Sequence, residues 1–105
     1  MRINLLKETV EFLEMYNKTP RDVEFVNDGV HSCNFEQFAN VAKDYYYDNG
    51  FGLVEVNYNL KIVGENWYLE RDTYDGSECW SFKTIPTRDI PISGCETINV
   101  IEYNA

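Results

Sequence analysis

The dipeptide Asp75-Gly76, set between two runs of alternating side chains, constrains this chain more than any other feature of its sequence. Asp-Gly favours a two-residue type I′ loop, because both central residues of that loop take positive φ. With these two as the loop, Tyr74 pairs with Ser77, Arg71 with Trp80, Leu69 with Phe82 and Trp67 with Thr84. Trp67, Leu69, Trp80 and Phe82 then share one face, and Tyr68, Glu70, Asp72, Cys79, Ser81 and Lys83 share the other. A slip of one residue would scatter the aromatics over both faces, so the apolar pattern itself fixes the register.

The remaining segments supply what covers this ribbon. Ile3, Leu6, Val10, Leu13 and Tyr16 recur at helical spacing, with Leu5 and Phe12 widening the stripe, which predicts a helix over 3–16. Asn17 suits its end and Pro20 forbids continuation. Val23, Phe25 and Val26 make a short strand closed by Asn27-Asp28-Gly29. Asn34 is an N-cap with Gln37 placed for a capping box. Phe35, Phe38, Val41, Ala42 and Tyr45 then share one face of a second helix ending at Asn49-Gly50. Three consecutive tyrosines, Tyr45 to Tyr47, cannot all face one core from a helix, so at least one is expected outside. Strands are expected over 53–57, 60–63, the two hairpin runs and 97–103. The expected fold is α+β: two helices packed on one side of a mainly antiparallel four- to five-stranded sheet, in a single domain over 1–105.

Eighteen acidic against nine basic residues give a formal charge of -9. Such a field repels phosphate backbones and speeds encounter with basic surfaces, which argues against direct nucleic-acid binding and for a basic protein partner. An acidic surface also serves solubility alone. Lys7, Glu8, Glu11 and Glu14 interrupt the apolar residues of the first segment, and no run approaches the ~20 apolar residues of a membrane span. The expectation is a cytoplasmic protein without a membrane partner. Three cysteines in a reducing compartment are expected to remain thiols.

Little in the sequence points to catalysis. It holds no glycine-rich phosphate loop, no nucleophile elbow and no helical His-Glu metalloprotease pair. The one histidine, His31, can be paired on paper with Cys33, Cys79 or Cys95, but nothing supplies an oxyanion site or a third orienting group. The chain is therefore expected not to be an enzyme. One His and three Cys do make the full count for a tetrahedral zinc site, and His31, Cys33, Cys79 and Cys95 are its candidate ligands. Ligation would account for Cys79 on the face opposite the tryptophans, as would a covering layer. The usual Cys-x-x-Cys spacing is missing.

Three stretches, KTPRDVEFV at 18–26, FEQFANVAKDYYYDNGFG at 35–52 and VGENWYLERDTYDGSECWSFKTIP at 63–86, carry a resemblance. Across 18–86 the chain resembles small acidic proteins encoded in prophages and other mobile elements of Gram-positive bacteria. The third stretch is the most specific, although Cys79 stands where that group commonly has an aromatic residue. The resemblance implies a host bacterial cytoplasm and a role against host defence, as in anti-CRISPR proteins that block nucleic-acid loading by Cas9. It makes Asp44, Tyr46, Tyr47 and Asp48 after the second helix, and Glu65, Glu70, Asp72, Asp75 and Glu78 around the hairpin, the candidate partner contacts. A zinc-stabilised adaptor is the alternative.

Overall fold

Asn4 decides where the first helix begins. Its side chain accepts the Lys7 N–H at 2.9 Å, so the helix starts at Leu5 and not at Ile3. The computed structural model describes residues 2–50 and 53–86. In it Arg2–Asn4 form strand β1 and Leu5–Met15 helix α1. The helix stops where the sequence indicates: Asn17 takes a φ of 59°, and the Lys18 N–H reaches back to the Leu13 carbonyl at 2.9 Å.

A 3-10 turn at Pro20–Asp22 leads into β2, Val23–Asn27. The Asn27-Asp28-Gly29 turn, with Gly29 at a φ of 97°, returns the chain to β3, Ser32–Cys33. Helix α2, Phe35–Ala42, opens with the expected capping box: Asn34 Oδ1 accepts the Gln37 N–H at 2.8 Å, and Gln37 Oε1 accepts the Asn34 N–H at 3.0 Å.

Two expectations are corrected here. The second helix ends at Ala42, and Tyr46–Asp48 form strand β4, paired antiparallel to β1 with Ile3 opposite Tyr47. Aromatic runs favour extended backbone, and extension sends alternate side chains to opposite sides. Tyr46 is exposed and Tyr47 fully buried. The expected strand over 53–57 does not form, because the Glu55 and Val56 N–H groups donate to the Glu78 carboxylate instead of to a neighbouring strand.

Strands β5, Lys61–Gly64, β6, Trp67–Tyr74, and β7, Ser77–Thr84, complete a five-stranded antiparallel sheet in the order β3-β2-β5-β6-β7. The β6–β7 register is the one the alternation requires, from Tyr74 opposite Ser77 to Trp67 opposite Thr84. Asp75 and Gly76 take φ of 54° and 85°, as a type I′ loop demands. Both helices cover one face of this sheet, where Leu5, Leu13, Val26, Phe38, Ile62, Trp67, Leu69 and Trp80 make the core. Tyr16 of the α1 end stacks on Phe82 at 4.3 Å between centroids, and Phe82 stacks on Trp67 at 5.8 Å. The α+β class with two helices on a mainly antiparallel sheet is thus the observed one. The strand expected over 97–103 lies outside the described residues.

Candidate protein-binding surface

Because side chains alternate along β6 and β7, Arg71 and Glu78 point to the same face as Trp67, Leu69 and Trp80. Their charges therefore enter the core, where they are 3% and 4% exposed. Burying a charge is costly without partners, and both have them. Arg71 Nη2 donates to Glu78 Oε1 at 3.2 Å and to the Tyr47 hydroxyl at 3.0 Å, and Nη1 lies 3.5 Å from Glu8 Oε1. The Tyr47 hydroxyl donates onward to Glu8 at 2.7 Å. The guanidinium carbon stands 4.7 Å from the Trp80 ring centroid and 5.4 Å from that of Tyr47. Beside this group, Trp80 Nε1 donates to the Thr9 hydroxyl, which donates to the Leu5 carbonyl.

The electrostatics follow from the burial. Desolvation works against the Arg71 charge, but the Tyr47 hydroxyl and the Glu8 and Glu78 carboxylates outweigh it and hold its pKa above the ordinary value. Desolvation also drives the Tyr47 phenol well above its usual range, opposed by Arg71 and assisted by Glu8.

This clamp also positions the exterior. Glu78 accepts the Glu55 and Val56 N–H groups at 2.7 and 3.1 Å, and the Ser77 hydroxyl donates to the Asn49 carbonyl. The segment after β4 is thereby tied to the tip of the β6–β7 hairpin. The Asp48 N–H donates to Glu55 Oε2 at 3.3 Å, with the exposed Asp44 and Tyr46 leading into β4, while Asp75 sits in the hairpin loop and Asp72 is paired with Cys79 on the outer sheet face. Only part of the expected contact set gathers at this end. Glu65 sits at the opposite end of β6, among Lys18, Arg21, Asp22, Glu24 and Trp67. Glu70 is on the outer sheet face, 4.0 Å from Lys83 Nζ. Tyr47 and Glu78, expected as contacts, are core residues, because extended backbone turned one inward and strand parity turned the other.

Next to this end runs an apolar groove of about 320 Å³ between α2 and the segment before β5, lined by Phe38, Val41, Ala42, Tyr45, Val56 and Leu60, with Glu55 at its edge. The Tyr45 hydroxyl bridges it by donating to the Glu55 carbonyl at 2.9 Å. Val41 is 73% exposed, although its helical face was expected to be core throughout. An eight-residue helix buried by Phe38 and Ala42 has no room to bury every member of so wide a stripe.

Of the candidate zinc ligands, Cys33 and Cys79 are not brought together. Cys33 lies on β3 and Cys79 on β7, opposite edges of the sheet, four strand spacings or roughly 19 Å apart. Thiolates on one zinc each lie about 2.3 Å from it. His31 is exposed, and its ring Nδ1 faces Asp28 Oδ2 at 3.5 Å. Asp28 itself accepts the Val30 and His31 N–H groups, which lowers its pKa. Cys95 lies outside the described residues, and among the described residues no group of three or more His, Cys, Asp or Glu is arranged to hold a metal. Among them, too, no helix is long and apolar enough to cross a membrane.

Comparison of the chain with protein-family models, with curated proteins and with solved structures found no match.

Proposed function

We propose that this protein acts by binding a basic protein through the acidic end formed by the β6–β7 hairpin and the segment around β4, and that it inhibits a nucleic-acid-handling defence protein, Cas9 being the specific target. The observation that carries the reading is the cross-tie from Ser77 and Glu78 to Asn49, Glu55 and Val56, which holds acidic segments distant in sequence side by side. Arg71 and Glu78 are withdrawn into the core together as an ion pair, so the charge presented at that end is that of Asp44, Asp48 and Asp75, with Arg2 opposite Asp48 on β1. Tyr46, half exposed beside these carboxylates, offers the apolar area with a polar tip that interfaces favour.

A pre-arranged negative surface competes with nucleic acid for a basic groove without needing nucleotide chemistry. The resemblance to mobile-element proteins supplies the target class. Order of addition tests the mechanism. Added to Cas9 before the guide or the target DNA, the protein is expected to slow DNA cleavage. Added after the DNA is engaged, it is expected to have little effect. Equal cleavage in both orders and in its absence rejects the proposal.

A further inference from the structure

We infer that the groove between α2 and the segment before β5 is a docking slot for an apolar side chain presented by a basic protein segment, a lysine- or arginine-flanked anchor. This inference rests on the protein-binding reading above and deepens it by naming what the partner must present.

The groove is apolar where a partner would enter: Phe38, Val41, Ala42, Tyr45, Val56 and Leu60 form its walls, and among the described residues no Lys or Arg lines it. Its volume of about 320 Å³ lies at the lower end of the range for specific binding pockets, a fit for one or two side chains and not for a large ligand. Among the described residues that line it, Glu55 is the charged one; next along the chain stand Asp44 after Lys43 on one wall and Lys61 after Leu60 on the other, so the negative bias is that of Glu55 and of the whole chain's charge of -9.

Charge selects the occupant. A second copy of this chain, at -9, would bring like charge to the Glu55 edge, whereas a basic segment gains there while burying its anchor. Apolar contact at the centre with charge complementarity at the rim is the usual anatomy of a specific interface.

The test uses the full chain, isotope-labelled, and three short blocked peptides: lysines around a central leucine and phenylalanine, the same with alanine at both central positions, and the first with glutamate for every lysine. The leucine-phenylalanine lysine peptide is expected to bind about tenfold tighter than the alanine one, the change that burying one large apolar side chain supplies. Its affinity is expected to fall with added salt, and its amide shift changes to centre on Val41, Tyr45, Val56 and Leu60. Val41→Asn is expected to remove the tenfold preference, and Val30→Asn, at an exposed valine outside the groove, to keep it.

Equal binding of the two lysine peptides, with shifts confined to the hairpin tip, would overturn the groove and leave the basic-partner reading standing. No binding of either lysine peptide at low salt would overturn both. Binding of the glutamate peptide as tight as its lysine counterpart would refute the charge selection. Self-association abolished by Val41→Asn would assign the face to a second copy and overturn the inference.

Discussion

Arg71 and Trp80 are directly opposite each other on β6 and β7, and the guanidinium of one lies over the indole of the other, 4.7 Å from its centroid. The pair sits on the helix-covered face, so the arginine is held by rings as well as by Glu8, Glu78 and Tyr47. This is the joint through which α1, β4, the hairpin and the segment before β5 are locked together.

Removing one partner from such a group leaves the others charged and buried. Arg71→Met is expected to destabilise the fold by about 3–5 kcal/mol, read from the urea midpoint. Arg71→Lys is expected to recover only part of this, since an ammonium cannot fork between Glu78 and Glu8 or stack on the rings as a guanidinium does. A loss below about 1 kcal/mol for Arg71→Met would mean that the clamp contributes little.

Gly64 makes a second, purely steric prediction. A Cβ built there would meet the Trp67 indole at 2.1 Å, and that ring is buried against Phe82. Gly64→Ala is expected to cost about 1–3 kcal/mol by the same denaturation, with a changed near-ultraviolet circular dichroism signal from the displaced tryptophan. An unchanged midpoint would place the ring elsewhere.

Tyr47 predicts behaviour at high pH. Burial raises its phenol pKa in the fold above the ordinary value of 10, so the folded chain holds this proton more tightly than the unfolded one. The stabilisation is complete below pH about 10 and disappears as pH climbs through the higher folded value. Absorbance titration should show one phenol that ionises only as the far-ultraviolet signal is lost, and Tyr47→Phe should abolish that late step. Ionisation of Tyr47 in the intact fold near pH 10 would contradict its burial.

Cys79 predicts a slow thiol. Partial burial raises its pKa and the Asp72 carboxylate, its cross-strand partner, raises it further. Since the thiolate is the reactive form, alkylation of Cys79 at neutral pH should speed up in Asp72→Asn. Peptide mapping separates it from Cys33 and Cys95. No acceleration would show that the carboxylate does not act on the sulfur.

Much of this fold was legible because local signals agreed with one another. The Asp-Gly loop and the parity of four apolar residues gave the hairpin register, and the Asn34–Gln37 box gave the start of α2. Where local signals conflicted with tertiary ones, the tertiary ones prevailed. Asn4 capped a helix inside what read as a continuous apolar stripe. Tyr46 and Tyr47 extended because β1 was available to pair with them. The 53–57 run spent its amides on Glu78, a partner more than twenty positions away that no window could reveal.

The site was half legible. Asp44, Asp48, Asp72 and Asp75 were readable as surface charge. Arg71 and Glu78 carry the same strand parity as the tryptophans, so their inward direction was in the sequence, but their charge suggested solvent. The groove left a weaker trace: α2 has more apolar positions than one face can bury.

The central claim, that the acidic hairpin end is the binding surface, is tested most directly by the salt dependence of affinity for purified Cas9. The native chain is compared with one carrying Asp44→Lys, Asp72→Lys and Asp75→Asn, the last retained as a residue that tolerates the turn. The account predicts tight native binding that weakens steeply as salt shortens the Debye length from about 10 Å, and weak, nearly salt-independent binding by the folded variant. Equal affinities and equal salt slopes for the two chains, or no native binding at low salt, would contradict it.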